Sequence, residues 1–430
     1  MKNIKKGFII FLVILTVFSF FNCDDNPGSI SSSDSGNNNG NDNNNGNNSG
    51  NNNGNGNNNV ESTLVEFLTS LQTTAENGGS YIYEIKADEI IPPQDLSYKG
   101  KENITITLKS DNINRIISLS TTGAMFIVRS GVTLVLENNL TLQGHVLNTQ
   151  ALILVAADAM LIMNDGVKIT GNNNTNSSGG GGVVLSSAIS AVGQKEGGKF
   201  LMNGGEISNN IALGLGGGVA ISSNALFTMK SGKIYNNSVP VSMTVTTSNG
   251  GGVLAYGNFI MEGGEIFGNS VSCSSANGAH GGGVYALQAD FTMKGGKIYG
   301  NTATSTTMAT GGGVYIAGTT GYPATFIMED GEISSNTVTA ATISRGGGVQ
   351  VGSGSVQSSN NSFIIKTGGI ITGFADDAVN GNTVKSNATT IRDNYGHAVY
   401  SSSSIRREST AGTTVNLDSS ITGISGGWGN

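Results

Sequence analysis

The chain has 430 residues, with 22 Lys or Arg against 29 Asp or Glu, so its formal net charge is −7. This acidic balance argues against nucleic acid or anionic lipid as a partner, because both are negatively charged. With 65 Gly, 5 Pro and 2 Cys, the composition suits strands and tight turns and argues against a disulfide framework.

Residues 1–22 are typical of a signal peptide: three lysines precede an apolar run that is too short to span a bilayer. Cys23 follows directly, in a context that resembles the lipobox of bacterial lipoproteins in the looser form found in spirochaetes. That resemblance implies that Cys23 is acylated and anchors the mature protein in a lipid bilayer. The alternative is a secreted protein with an incidental Cys. Cleavage before Cys23 would change the net charge to 19 − 29 = −10.

Residues 23–59 are almost wholly Asn, Gly, Ser and Asp. Such a segment has too little apolar surface to offset the entropy of ordering, so it is predicted to be a disordered tether. A flexible chain of this length has an end-to-end distance of roughly 30 to 35 Å.

Residues 60–80 are predicted to form an N-terminal cap. Apolar residues recur at helical spacing between Thr63 and Ala75, and Thr63 and Glu66 have the spacing of a capping box. A solenoid needs its open end covered, and this short helix would cover it.

Residues 81–430 contain a repeated unit, exemplified by FTMKGGKIYGN at Phe291 to Asn301. A Phe precedes a Met by two residues, an Ile follows the Met by five, and a Gly triplet followed by Val recurs between copies. The anchoring methionines, spaced by 27, 32, 32 and 35 residues, are Met202, Met229, Met261, Met293 and Met328. Such a period indicates a solenoid. Three short strands per unit predict an all-β fold, a right-handed parallel β-helix of about ten coils with Phe, Met and Ile each stacked inside.

An Asn lies eight residues after each anchor, at Asn210, Asn237, Asn269, Asn301 and Asn336. Asn tolerates the backbone of tight turns, and stacked amides can hydrogen-bond to one another. A structural Asn ladder is therefore predicted in preference to a ligand site. A degenerate copy that begins at Phe363 is expected to carry Gly373 at this position.

Two columns of charged residues alternate in sign from unit to unit. The first charge column, one residue after the anchors, is Lys230, Glu262, Lys294 and Glu329, with Lys366 expected to extend it. The second charge column, four residues after the anchors, is Glu206, Lys233, Glu265, Lys297 and Glu332. If the units stack in register, opposite charges lie one rung apart, and both columns are predicted to be structural ladders that specify register.

Few residues have the spacing that catalysis or metal binding requires. Gly193 to Lys199 fits GxxxxGK, but Phe200 stands where a phosphate-binding loop needs Ser or Thr. The three His have no partner at ligand spacing, and Asp376 and Asp377 fit an ordinary loop or, alternatively, a calcium site. No catalytic residue, cofactor or metal is predicted, although a site assembled from distant coils would escape a linear analysis. The acids outside the columns fall at unrelated repeat positions: Asp158, Asp165, Asp290 and Asp393.

Segments of variable length, rich in Thr and Ser, connect each Asn to the next Gly triplet. We expect them to be loops on one edge of the rod, either a binding surface or filler. The candidate binding residues in these loops are Thr244, Thr246, Thr304, Thr306, Thr337 and Thr339.

The GGGVY at Gly281 to Tyr285 and the Ile298-x-x-Asn301 pair resemble the repeats of chlamydial polymorphic outer-membrane proteins. The mature chain, with YGHAVY at Tyr395 to Tyr400 and a closing GGW, resembles repeat-bearing surface lipoproteins of spirochaetes. The resemblance implies a pectate-lyase-like β-helix at the outer membrane, lipid-anchored and surface-exposed, with an adhesin-like function.

The preferred hypothesis is thus a non-enzymatic surface lipoprotein that binds a host matrix protein or a glycan. Two alternatives stay open, a polysaccharide lyase or hydrolase with a groove hidden from the linear sequence, and a structural component of the surface coat. A groove of acidic and aromatic residues bound to an oligosaccharide would favour the enzyme, whereas self-assembly of the soluble fragment would favour the coat.

Overall fold

The computed structural model describes residues 62–176, 179–187, 196–242, 246–319, 322–352, 362–392 and 395–401, with three short strands beyond residue 401. Within these residues no helix is long and apolar enough to cross a membrane.

One helix, α1 (Leu64–Thr74), precedes the first strand, as predicted for the cap. Thr63 Oγ1 accepts a hydrogen bond from Glu66 N at 3.3 Å, and Glu66 Oε2 accepts one from Thr63 N at 2.8 Å, which completes the capping box. The apolar face of α1 is buried, and the Phe67 ring lies 5.0 Å from the Tyr83 ring of the first coil. The helix therefore contributes its leucines to the same core as the strands.

The chain then winds through ten coils, each of which adds one strand to each of three long parallel sheets. Sheet 1 contains Ser80–Ile85, Ile104–Ser110, Val132–Glu137, Met160–Met163, Lys199–Met202, Leu226–Met229, Asn258–Met261, Phe291–Met293, Ala324–Met328 and Ser362–Lys366. Sheet 2 contains Glu89–Ile91, Arg115–Leu119, Leu140–Gln143, Lys168–Thr170, Glu206–Ser208, Lys233–Tyr235, Glu265–Phe267, Lys297–Tyr299, Glu332–Ser334 and Ile370–Ile371. Sheet 3 contains Gln94–Leu96, Phe126–Val128, Ile153–Val155, Val183–Leu185, Val219–Ile221, Val253–Ala255, Val284–Leu287, Val314–Ala317, Val349–Val351 and Val399–Ser401. The predicted parallel β-helix of about ten coils is confirmed.

Two shorter parallel sheets occupy the segments that the sequence predicted to be loops. Sheet 4 contains Asn173–Asn174, Ile211–Ala212, Ser238–Val239, Ser270–Cys273, Thr302–Ser305, Thr337–Ala340 and Thr383–Lys385. Sheet 5 contains Ser248–Asn249, Ala279–His280, Met308–Thr310 and Ile343–Arg345. Beyond the tenth coil, Gly423–Ile424 pairs antiparallel with Val399–Ser401, and Arg406–Glu408 pairs antiparallel with Thr414–Asn416.

The loop prediction was therefore wrong for most of these segments. Sheets 4 and 5 form a side lobe with a small core of its own, since Val271, Ala303 and Val338 are fully buried there. Alternating small apolar residues, as in Val271-x-Cys273 and Val338-x-Ala340, carry the strand signal. A strand with one buried face is more ordered than a loop, because its backbone pairs with the coils on either side.

Identical residues stack inside the rod. Phe227 pairs with Phe259 and Met229 with Met261, and the same pairing continues from coil to coil. Successive Phe rings lie 4.7 to 5.0 Å apart with interplanar angles of 5° to 12°. The five Phe are at most 1 % exposed. Burying one such side chain stabilises the fold by about 1.5 to 3 kcal/mol, so the repeat supplies a continuous core.

The last copy departs from the predicted alignment by one residue. Ile364 pairs with Phe326 and Lys366 pairs with Met328, whereas the sequence pattern had aligned Phe363 with Phe326. Because side chains alternate between the faces of a strand, this shift moves Lys366 from the surface into the interior, where it is 3 % exposed. Lys366 therefore does not extend the first charge column.

The Asn residues form a ladder at the corner between sheets 2 and 4. Asn269 is typical: its backbone N and its Nδ2 both donate to Asn301 Oδ1 at 3.0 Å, and its Nδ2 also donates to Ile234 O at 2.9 Å. The predicted Asn residues are 0 % exposed. The last rung is Asn382 and not Gly373, because an inserted turn separates the two and Asn336 Nδ2 donates to Asn382 Oδ1 at 2.8 Å.

The Gly triplets pack against this ladder. A Cβ added at Gly283 would lie 2.7 Å from Gly313 O and 3.0 Å from Asn301 Nδ2. Only glycine lets sheet 3 begin so close to the amide column and to the next coil.

We predict that Asn269→Ala lowers the free energy of unfolding by about 3 kcal/mol or more. The substitution leaves several buried backbone and amide groups without partners, at about 1 to 3 kcal/mol each. Urea unfolding followed by circular dichroism measures the loss, with Asn258→Ala, an exposed Asn in sheet 1, as the control. Equal unfolding midpoints for the two variants would contradict the ladder's contribution.

Candidate functional site

The second charge column runs along sheet 2 with its members directly opposite one another in successive coils. Lys168 lies in the same column one coil earlier, and its Nζ is 3.1 Å from Glu206 Oε2. Lys297 Nζ is 2.9 Å from Glu332 Oε2. The hydrogen bond from Lys297, aided by one from Ser334, lowers the pKa of Glu332.

The first charge column lies just after the strands of sheet 1, and all four of its side chains are exposed. Backbone hydrogen bonds fix the register between successive members of the column: Glu262 N donates to Met229 O, and Lys294 N donates to Met261 O. Within the described part of the chain, no ion pair within 4.0 Å involves these four residues. The column therefore alternates in charge without forming bridges.

A groove separates the two columns. Every unit turns there through a glycine of positive φ, for example Gly232 at 92° and Gly264 at 87°. The missing side chains leave a groove of about 470 Å³ that runs from Asn114 in coil two to Glu265 in coil seven. The charged residues that line it are Asp165, Lys168, Glu206, Lys233 and Glu265.

This cluster was not expected from the sequence, which placed Asp165 at an unrelated repeat position. Asp165 belongs to a coil whose turn stacks directly on that of the repeats, so it lines the groove with Glu206 and Glu265. Burial acts to raise the pKa of Glu206, but hydrogen bonds from Tyr235 and Lys168 outweigh it and the pKa is lowered. Glu206 is therefore held as a carboxylate.

An aromatic column lies on sheet 2 beside the second charge column, two residues further along each strand. Tyr235, Phe267 and Tyr299 are half-buried, and neighbouring ring centroids are 5.0 and 4.9 Å apart with the rings almost parallel. The hydroxyls of the two Tyr donate to carboxylates one coil back, Tyr235 to Glu206 Oε2 at 2.8 Å and Tyr299 to Glu265 Oε2 at 3.1 Å. Sequence analysis missed this column, although its signal is present as an aromatic residue directly after the Ile in three successive units.

The candidate Thr residues lie mostly on the outer face of sheet 4. Thr304 pairs with Thr339, and Thr337 pairs with Thr302, so they form two parallel hydroxyl columns. Thr306 and Thr246 are exposed beside the strands of the side lobe. Thr244 and Cys23 lie outside the described residues.

His280 has a structural role in sheet 5. His280 is buried beside Tyr285 and Tyr315, and its Nε2 is 2.8 Å from Asn277 O while its Nδ1 is 2.6 Å from Thr310 Oγ1. A carbonyl only accepts, so Nε2 carries the proton and donates, and Nδ1 accepts from the Thr hydroxyl. Burial lowers the pKa of His280 to about 4.

Asp377 organises a turn. Its carboxylate accepts hydrogen bonds from Val379 N and Asn380 N at 2.9 Å and from Asn380 Nδ2 at 2.8 Å. The backbone and side-chain bonds from Asn380 lower its pKa. Across the described ranges, no group of three or more His, Cys, Asp or Glu could hold a metal ion.

No protein-family model matches the sequence, and the comparisons with curated proteins and with solved structures give no match either. The groove combines carboxylates and amines, and a column of half-buried aromatic rings lies beside the second charge column on the same sheet.

We predict that Lys297→Glu lowers the melting temperature at low salt, because it places three carboxylates in successive rungs between Glu265 and Glu332. Lys294→Glu is the matched control, since it changes the same charge in the same coil without breaking an ion pair. Differential scanning calorimetry should show the larger shift for Lys297→Glu, and salt should reduce the difference. A Lys297→Glu protein that melts like the parent at low salt would refute the role of this column in stability.

We predict that acid destabilises the side lobe through His280. The unfolded imidazole binds a proton at about pH 6.5 and the folded one only near pH 4. The contribution of His280 to the free energy of unfolding is therefore constant above pH 6.5 and falls as the pH drops from 6.5 to 4. The loss attributable to this group is roughly 3 kcal/mol. The pH dependence of unfolding should be less steep in that window for His280→Gln, and parallel curves for the two proteins would show that His280 contributes nothing.

Proposed function

We propose that this protein is a lipid-anchored lipoprotein of the outer membrane that displays its β-helix at the cell surface and binds a glycan in the groove along sheet 2. The observation that carries the proposal is the aromatic column of Tyr235, Phe267 and Tyr299 beside a groove lined by carboxylates and lysines. Host matrix proteins that carry such glycans are natural partners.

The chemistry of the groove suits sugars. Carbohydrate hydroxyls donate to carboxylates and accept from ammonium groups, and the C–H faces of pyranose rings pack on aromatic side chains. Glu206 and Glu265 each receive a Tyr hydroxyl, which fixes their orientation toward the groove before a ligand arrives. Preorganised groups bind with less loss of conformational entropy.

The N-terminal segment is consistent with display at the cell surface. An acyl chain on Cys23 would hold the protein in the membrane, and the segment 23–59 would keep the rod clear of it by a few tens of ångströms. The motifs at Gly281 to Tyr285 and at Ile298-x-x-Asn301 resemble those of chlamydial and spirochaete surface proteins, and this resemblance supports the same location.

A polysaccharide lyase or hydrolase is the second candidate, because its chemistry also needs carboxylates and basic groups in a groove. The electrostatics favour binding over hydrolysis. A general acid needs a raised pKa, whereas the pKa of Glu206 is lowered and its carboxylate is shared between Lys168 and Tyr235.

We predict that the triple variant Tyr235→Ser/Phe267→Ser/Tyr299→Ser loses glycan binding and keeps its fold. Ser is the residue that neighbouring coils carry in this column, at Ser208 and Ser334. The full chain in nonionic detergent would be tested on an array of glycans and host matrix proteins, with release of reducing ends followed in the glycan wells.

Two controls complete this experiment. Tyr322→Ser removes an exposed aromatic residue that lies outside the aromatic column and should bind like the parent. Thr304→Ala/Thr339→Ala tests the hydroxyl columns of sheet 4. Binding that survives the triple variant would refute the groove as the site, loss in the Thr variant alone would place the site on sheet 4, and turnover of a polysaccharide would establish the enzyme.

A further inference from the structure

From coil six to coil nine the two charge columns carry the same sign within each coil. Coil six has Lys230 and Lys233, coil seven Glu262 and Glu265, coil eight Lys294 and Lys297, and coil nine Glu329 and Glu332. The columns flank the line of turn glycines, so each coil presents a pair of like charges, one on either side of that line. We call each pair a charge band, and the bands alternate between cationic and anionic along the rod.

The spacing of the bands follows from the fold. Successive coils are one strand spacing apart, so two cationic bands are separated by two rungs, roughly 9 to 10 Å. That distance is close to the length of a disaccharide. A polysaccharide chain lying parallel to the rod would therefore place about one sugar on each band.

The cationic bands are open to a ligand. Lys230, Lys233 and Lys294 are exposed, and none has an acidic partner within 4.0 Å in the described part of the chain. Lys297 is bridged to Glu332, but both side chains are more than one third exposed. Exposed pairs of this kind are weak and can be exchanged for a ligand contact.

We propose that the surface between the two charge columns in coils six to nine, which continues the groove along the glycine turns of Gly296 and Gly331, selects a polysaccharide in which an acidic sugar alternates with a neutral one, the carboxylate of each acidic sugar lying on a cationic band. This inference rests on the proposed glycan-binding function. On the anionic bands, hydroxyls of the neutral sugar donate to Glu262 and Glu265. A polymer with a carboxylate on every sugar would place charge against these same glutamates and be rejected by repulsion.

The protein and an acidic polysaccharide are both negatively charged, but this net charge does not prevent binding at the bands. The four bands sum to zero, and the charges elsewhere on the rod are largely screened beyond about 8 Å at physiological salt. A second copy of the rod would match the period of the bands, but its flanking columns would meet the rims of the groove and leave the glycine turns uncovered. A flexible chain can lie along the glycine turns between the two columns, so a polysaccharide is the better occupant.

The test measures binding of the full chain, in nonionic detergent, to three fluorescent oligosaccharides. Hyaluronan fragments carry one carboxylate per disaccharide, oligogalacturonate carries one per sugar, and cello-oligosaccharides carry none. We expect the order hyaluronan, cello-oligosaccharide, oligogalacturonate in falling affinity. Lys230→Gln/Lys233→Gln should weaken hyaluronan binding about tenfold, and Glu262→Gln/Glu265→Gln should raise the affinity for oligogalacturonate.

The matched control is Lys99→Gln/Lys101→Gln, which removes two exposed lysines from another turn and should leave hyaluronan binding unchanged. Equal loss in this control would reduce the effect to net charge and overturn the inference. Tight binding of cello-oligosaccharide alone would overturn the alternating ligand and leave the proposed function intact, whereas binding of none of the three by a protein that also fails on the glycan array would remove both. Self-association of the parent rods that Lys230→Gln/Lys233→Gln abolishes would assign the bands to a second copy and also overturn the inference.

Discussion

Backbone pairing between successive coils governs the position of every side chain in this rod. Once one coil hydrogen-bonds to the next in register, each residue lies one strand spacing from its counterpart in the next coil. Phe259 then lies between Phe227 and Phe291, and Asn269 between Asn237 and Asn301. The same constraint places a Lys between two Glu on the surface, where a shift by one unit would bring like charges together.

The corner between sheets 2 and 4 makes this register costly to change. Each Asn Nδ2 donates to a backbone carbonyl of the preceding coil and to Oδ1 of the next Asn, so a slip would break bonds inside the protein, where no water replaces them. The Gly triplets fit only because they lack side chains at this corner. By contrast, the surface charges contribute little energy each. The buried amides therefore contribute more to holding the register than the surface charges do.

The candidate site is a product of the same repetition. A glycine turn repeated in neighbouring coils becomes a groove, an aromatic residue repeated in three coils becomes a strip, and alternating charges become bands. No single coil contains a site, because each supplies only one or two polar groups. A rigid array of this kind suits a ligand that is itself periodic, and a polysaccharide is such a ligand.

The sequence by itself determined the fold, the number of coils, the capping helix and the stacked Phe, Met, Ile and Asn, because each depends on a short-range pattern repeated at a fixed period. The side lobe was partly visible in Val271-x-Cys273 and Val338-x-Ala340, but variable segment lengths concealed it. Only the tertiary structure decided that Asp165 joins Glu206 and Glu265, that Lys366 is buried, and that Asn382 replaces Gly373 in the ladder. These facts depend on which residues of different coils are neighbours, and insertions between coils change the sequence distance while leaving the rung spacing unchanged.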